Sequence, residues 1–255
     1  MRILFIGDIF GSPGRRVTAE FLAAERDSFD LVIANGENAT AGRGLSRKHY
    51  QELRDAGIDL ITLGNHTWDQ RETKDLLEET PRLLRAANYP PGTPGIELAL
   101  LETAAGERLA VGQLLGRVFM EPVDDPFAAA DRLVEQVPAG VPLLIDLHAE
   151  ATSEKKVLGW HLRGKAAAVI GTHTHVQTAD ELLDRGTAYI TDAGMTGVQD
   201  SAIGMGFEEV HYRFTTKMPR RYRPAEGEAE LRGVIIDLEG ERSTRIERLR
   251  WRVEP

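Results

Sequence analysis

Three times before residue 80 the chain repeats one unit: a short apolar run, a polar loop containing glycine, then a helical pattern. Residues 2–7 are a near-continuous apolar run that empties into Asp8 and a Gly- and Pro-marked loop through Arg15, after which 16–26 reads as a helix. Residues 30–34 end in Asn35-Gly36-Glu37-Asn38 and a further glycine-rich loop to Gly44. A helix over 47–56 follows, with Ser46 as its N-cap and Gly57 at its end. Residues 58–63 lead into Gly64-Asn65-His66-Thr67-Trp68-Asp69 and a third helical pattern rich in acidic and basic residues. Strand, loop and helix at this spacing predict a parallel sheet with right-handed crossovers. Apolar runs without alternation are the mark of strands buried on both faces. Open sheets of this type hold ligands beyond the carboxyl ends of their strands, which is where Asp8, Glu37, Asn38, Asn65 and His66 fall.

The middle of the chain changes character. Residues 89–95 are a proline- and glycine-rich loop, and 96–103 and 107–114 flank Ala104-Ala105-Gly106 as a hairpin. Residues 126–136 read as a helix. A strand over 141–147 ends at His148, and a helix over 152–165 follows with Thr152 or Ser153 as its cap. A strand over 166–170 ends in Gly171-Thr172-His173-Thr174-His175, and one over 188–191 ends in Asp192-Ala193-Gly194-Met195-Thr196-Gly197. Residues 231–238 and 243–253 form a closing hairpin about Gly240. With no internal repeat, low-complexity tract or linker, the expectation is one α/β domain over 1–255 containing two sheets, since parallel and hairpin strands both occur in number.

Composition narrows the chemistry. The 255 residues include no Cys, which excludes disulfides, thiolate metal sites and a Cys nucleophile. Any metal must be held by imidazole, carboxylate or amide, a donor set that suits Fe, Mn, Zn or Mg rather than Cu(I). The net charge of −9 gives no long-range attraction to nucleic acid. No apolar run approaches the roughly 20 residues of a membrane span. The first residues read as a strand rather than a signal peptide, because the apolar run is short and breaks at Asp8. The cytoplasm is the default location that follows.

Asp8, Glu37, Asn38, Asn65, His148, His173 and His175 therefore recur as ligand types at successive strand ends. They are too many for one four-coordinate ion and suit two ions sharing a carboxylate, about 3.5–4 Å apart. Such a pair stabilises the attacking and leaving oxygens of phosphoryl transfer and yields hydroxide from water at neutral pH. On a loop, the i, i+2 spacing of His173 and His175 lets both rings converge. His49, His161 and His211 have no strand end or ligand neighbour and read as structural. No G-x-G-x-x-G follows a strand and no Walker sequence occurs, so the glycines are assigned to tight turns. Arg213, Lys217, Arg220, Arg221 and Arg223, interleaved with Tyr212, Phe214 and Tyr222, can hold a nucleotide or single strand, or form a solvated loop or oligomer contact; they are left out of the site.

The order Gly7-Asp8, Gly36-Glu37-Asn38, Gly64-Asn65-His66, His148 and Gly171-Thr172-His173-Thr174-His175 resembles the calcineurin-like metallophosphoesterases. More narrowly, Gly7-Asp8-Ile9-Phe10-Gly11, Gly36-Glu37-Asn38-Ala39, Gly64 to Asp69, Asp146 to Lys155 and Asp192 to Gly197 resemble the YmdB-like bacterial phosphodiesterases. The resemblance implies a four-layer α/β/β/α sandwich of two mixed sheets with a dinuclear site at one edge. It places Glu37 as the bridging carboxylate, Asp8 and His175 on the first ion, and Asn65, His148 and His173 on the second. His66 would protonate the leaving oxygen while hydroxide held by the metals attacks. Two departures stand out. Phe10 occupies the place of the broad superfamily's Asp-x-His histidine, and Glu37 replaces a bridging Asp. Asn38 is then expected to take over the missing ligand, and the oxygen-rich set favours Fe or Mn, with Zn and Mg compatible.

The implied substrate is a small phosphodiester, a 2′,3′-cyclic nucleotide opened to its 3′-phosphate, with no membrane partner, no required nucleic acid, and a homo-oligomer compatible. The alternatives are a broader phosphomonoesterase or nuclease, and a regulatory RNA-associated scaffold with a structural metal site.

Overall fold

The computed structural model describes residues 1–252. The first sheet carries β1 (Arg2–Ile6), β2 (Asp8–Ile9), β3 (Leu31–Asn35), β4 (Leu60–Thr62), β5 (Leu83–Leu84), β12 (Met195–Val198), β13 (Ala229–Glu239) and β14 (Arg242–Trp251). Its order is β2-β12-β13-β1-β3-β4-β5, with β14 on β13. The second carries β6 (Leu98–Glu102), β7 (Arg108–Leu115), β8 (Leu143–His148), β9 (Ala168–Thr172), β10 (Leu182–Asp184) and β11 (Thr187–Ile190), in the order β10-β11-β9-β8-β7-β6. Both are mixed: β1, β3, β4 and β5 run parallel, as do β7, β8, β9 and β11, while β13 and β6 pair antiparallel to their neighbours.

Side-chain alternation along the strands builds three cores and hence four layers. Ile3 and Phe5 of β1 face the second sheet and pack with Val111, Leu144 and Ile170, whereas Leu4 and Ile6 point outward. That outer face is covered by α1 (Gly11–Glu25), α2 (Arg47–Asp55) and α3 (Thr73–Glu79) through Phe21, Leu53 and Leu76. The far face of the second sheet is covered by α4 (Pro126–Gln136) and α5 (Thr152–Leu162) through Leu133, Leu158 and Leu162. The layers are helix, sheet, sheet, helix, which is the expected α/β/β/α sandwich. No helix among the described residues is long and apolar enough to cross a membrane.

Several boundaries differ from the sequence reading for identifiable reasons. Helix α1 begins at Gly11, within the stretch read as a loop. Pro13 lies in its first turn, where no amide donor is required, and Gly14 N–H bonds the Phe10 carbonyl at 3.1 Å. Asp8 is the start of a short strand rather than a loop residue, because Asp8 and Ile9 pair in parallel with Met195 and Thr196. The cap of α5 is Ala151, with no side-chain hydrogen bond. The Glu154 carboxylate, in the first turn, instead accepts from the Arg117 and Val118 amides. Strands β5, β10 and β12 and helix α6 (Phe207–Thr216) were not expected. The predicted last strand reaches Val253, which lies outside the described residues.

Ser46 caps α2 as expected, its hydroxyl accepting from the His49 amide. Ser46→Ala should destabilise the protein by about 1 kcal/mol, read as a lower urea midpoint at unchanged slope, with Ser46→Asp retaining most of the stability.

Candidate metal centre

The two sheets bring the carboxyl ends of β1, β3, β4, β8 and β9 to one edge. His148 closes β8 and is fully buried. Its Nε2 lies 3.0 Å from Glu37 Oε1, 3.0 Å from Asn65 Oδ1 and 3.1 Å from His173 Nδ1. Beside this group, His175 Nε2 is 3.2 Å from Asn38 Oδ1 and 3.9 Å from Asp8 Oδ1. The Asp8 oxygen is also 3.9 Å from His148 Nδ1. All seven residues expected as ligands are thus drawn into one constellation. Within it, Glu37, His148 and His173 offer donor atoms that all lie within 4.8 Å of one another, close enough to hold a metal ion. His66 stands next to it: its backbone N–H donates to Glu37 Oε2 at 3.0 Å, and its ring Nδ1 is 2.9 Å from Asp69 Oδ2.

The support beneath these side chains explains their orientation. Thr172 donates its hydroxyl proton to the buried Asp146 carboxylate at 2.7 Å, so towards His148 Nδ1, 2.9 Å away, it is left with a lone pair. His148 then carries a proton on Nδ1, and Nε2 is the nitrogen turned towards the centre. Asp146 is itself fixed by Thr62, Asn35 and Gln113. His173 Nε2 is held 3.0 Å from the Glu150 carboxylate, which turns Nδ1 inward.

His173 and His175 have φ of 97° and 65°, a left-handed backbone that non-glycine residues adopt only when their surroundings impose it. Here the imposition is a buried ion pair. Lys155 Nζ, with no solvent exposure, lies 2.8 Å from Asp192 Oδ2 and donates to the Thr172 carbonyl at 2.6 Å. The same carboxylate oxygen accepts from the Thr174 amide and hydroxyl at 3.0 and 2.7 Å. The sequence reading gives no role to Asp146, Glu150, Lys155 or Asp192. The available signal was a charge inside an apolar strand for Asp146 and on the covered face of a helix for Lys155; Glu150 and Asp192 lie in loops and offered none.

Electrostatics and packing fit a cation. Asp8 Oδ1 is buried and has no hydrogen-bond partner among the described residues, an arrangement that is costly unless something else satisfies the oxygen. Burial pushes the Asp8 carboxyl up to about 6 despite His175 and His148 nearby. Burial works the same way on Glu37, but His148 and His66 override it and hold that carboxyl at about 2. Burial disfavours charge on His148, yet Glu37 and Asp8 push it up to about 9; burial and then the charge of His148 push His173 down to about 3. The buried carboxylates thus draw positive charge to the middle of the lining. Gly64 is required by this crowding, since a Cβ there would run into the Glu37 carboxylate and His148 Nε2.

Phe10, at the position where the broader superfamily carries a ligand, packs edge-on to His175 at 5.6 Å between ring centroids. Its ring covers Gly204, where a Cβ would sit 2.7 Å away. In front of the centre opens a cleft of about 530 Å³ lined by His66, His173 and His175 together with Ile203, Phe214 and Tyr222. Of the basic, aromatic stretch, Tyr212, Arg213 and Phe214 lie on α6 and the rest in the irregular segment that follows, and Phe214 and Tyr222 line the cleft.

The sequence profile of the YmdB-like protein family matches residues 4–249. The chain belongs to the YmdB-like family. As a YmdB-like protein it is 49% identical over 255 residues to the 2′,3′-cyclic-nucleotide 2′-phosphodiesterase of Bacillus subtilis (strain 168), an alignment covering 98% of this chain and 96% of the relative. The crystal structure of a hypothetical protein from Thermus thermophilus superposes with a TM-score of 0.95 at 49% identity, covering 100% of both chains. That of a phosphatase from Mycoplasma pneumoniae gives 0.93 at 31% identity, covering 99% of this chain and 93% of the other. The YmdB-like fold is therefore shared throughout, including the strand ends that carry the centre.

Proposed function

We propose that the protein is a metal-dependent phosphodiesterase that opens 2′,3′-cyclic nucleotides to 3′-phosphates. The observation that carries this reading is the buried constellation about Glu37, with its orphaned Asp8 oxygen, in a chain so similar to a 2′,3′-cyclic-nucleotide 2′-phosphodiesterase. The set is large enough for two ions: Asp8, Asn38 and His175 would hold one, Asn65, His148 and His173 would hold the other, and Glu37, which adjoins Asn38 in sequence and touches His148, would be shared between them. Oxygen-bearing side chains outnumber imidazoles in this set, which favours Fe or Mn. When bound, the ions neutralise the phosphoryl oxygens and lower the pKa of the attacking water.

The remaining chemistry belongs to the chain. Asp69 occupies His66 Nδ1 and leaves Nε2 as the nitrogen for substrate. As water adds its oxygen to phosphorus, gives up one proton to solvent and the P–O2′ bond breaks, His66 gives a proton to the departing O2′, which otherwise leaves as a poor alkoxide. The Lys155–Asp192 pair keeps His173 and His175 aimed inward throughout.

Elemental analysis should find about two metal ions per chain. Turnover of 2′,3′-cyclic AMP should exceed that of 3′,5′-cyclic AMP and an aryl diester, vanish on chelation, and return with Fe or Mn. No bound metal after reconstitution, or metal without turnover of any diester, would overturn the proposal.

A further inference from the structure

Beyond the reacting phosphate, the cleft has a second wall that the phosphodiester chemistry does not use. Ile203, Met205, Val210, Phe214 and Tyr222 line it beside the histidines, together with Arg43. These side chains are not core. Helix α6 buries no residue, Phe214 is 69% exposed, and Ile203 is 57% exposed. Large apolar groups left in water at the mouth of a polar centre call for a ligand with an apolar face.

Their placement is also enforced. Ile203 has a φ of 46°, unusual for a β-branched residue. Its carbonyl stands 2.9 Å from His175 Nδ1, so one strained residue both steadies a candidate ligand and offers its side chain to the cleft. Tyr222 is steadied by Arg213, whose guanidinium lies 4.6 Å from the ring centroid.

We propose that this wall is the nucleobase subsite, with Phe214 and Tyr222 as the stacking residues, and that it is tolerant of base identity. The inference rests on the cyclic-nucleotide reading above and adds to it where the base goes and how it is recognised. The wall is continuous with the candidate centre, and a cleft of about 530 Å³ falls within the usual range for small-molecule sites. Every base has a π face, so stacking on aromatic rings holds all four, with purines favoured by their larger area. Discrimination between bases would need several fixed polar groups at the base edge; Glu37, Asn38, Glu150, Thr174 and the histidines of the lining belong to the centre or its support, which leaves Arg43.

The test compares 2′,3′-cyclic AMP with the 2,3-cyclic phosphate of methyl riboside, which has no base. In the wild type, the base-free substrate should show a KM about tenfold higher or more at similar kcat. Phe214→Ala and Tyr222→Ala should each raise KM for 2′,3′-cyclic AMP about tenfold and leave the base-free substrate unchanged. A 2-aminopurine analogue gives a readout independent of turnover: its fluorescence should be quenched on binding to the wild type and much less in Phe214→Ala. Equal KM for both substrates in the wild type would overturn the subsite while leaving the diesterase reading intact. A KM rise in the variants shared by the base-free substrate would likewise overturn it, by making the wall a shape element only. Absence of turnover with either substrate would remove the diesterase reading and this inference with it.

Discussion

His66→Ala should lower kcat on 2′,3′-cyclic nucleotides by about 10²- to 10⁴-fold, the usual contribution of a placed general acid, while metal content is unchanged. The separation of the two effects follows from the geometry. It is the backbone N–H of residue 66 that donates to Glu37, and this contact survives loss of the ring. The ring itself contacts Asp69 and the cleft. The loss should shrink with a diester whose leaving group is a good one, such as a nitrophenolate, because that departure needs no proton. Elemental analysis beside steady-state kinetics checks both halves. A variant that keeps full turnover, or one that loses its metals, would remove His66 from the role.

Lys155→Met should destabilise the fold by about 3–5 kcal/mol, since it strands the Asp192 carboxylate in the interior without its counter-charge. The carboxylate would retain its bonds from the Thr174 amide and hydroxyl and from the Gly194 amide, and would draw the 173–175 loop into whatever adjustment relieves the charge. Metal affinity should therefore fall about 10- to 100-fold alongside stability, the effect seen when groups that orient ligands are removed. Lys155→Met combined with Asp192→Asn should recover much of the stability, because two uncharged groups replace an orphaned ion. Urea unfolding of the metal-free single and double variants, with metal titration of each, would show whether stability and affinity move together. Unaltered stability in Lys155→Met would contradict the buried pair as the element that fixes the loop.

What could be read from the bare chain divides along physical lines. The strands that end in ligands were legible because a strand buried on both faces must be apolar, so the first polar residue marks its end. Asp8 announces itself in this way, whereas Glu37, Asn65, His148 and His173 follow an earlier polar strand residue (Asn35, Thr62, Asp146 and Thr172) and stand out as ligand types close to the end of an apolar run. The seven ligand candidates converge in the fold, although their two-ion partition remains a proposal. Features that depend on partners distant in sequence were not legible. Strand β12 exists because Asp8 and Ile9 offer it an edge, and its Met195-Thr196-Gly197 carries no local strand signal. Helix α6 was hidden because it has no buried face to impose a period. Pro13 and Gly14 looked like a loop because the first turn of a helix tolerates the residues that loops prefer. Lys155 looked like any solvated lysine, since its partner Asp192 lies 37 positions later.

The place of β13 in the first sheet has a bearing on how the molecule comes into being. Residues 229–239 lie between β1 and β12, so a segment made well after the ligand residues is a central strand rather than an edge. Until it arrives, β1 offers an unpaired flank and Asp8 lacks the scaffold that sets it against Met195. The ligand residues are all made by position 175, yet the frame that seats them is finished only some sixty residues later. A metal ion could therefore meet a finished site only after β13 has been made. The nascent protein must carry its histidines and carboxylates through synthesis uncommitted, and contacts this distant in sequence make the final assembly slow.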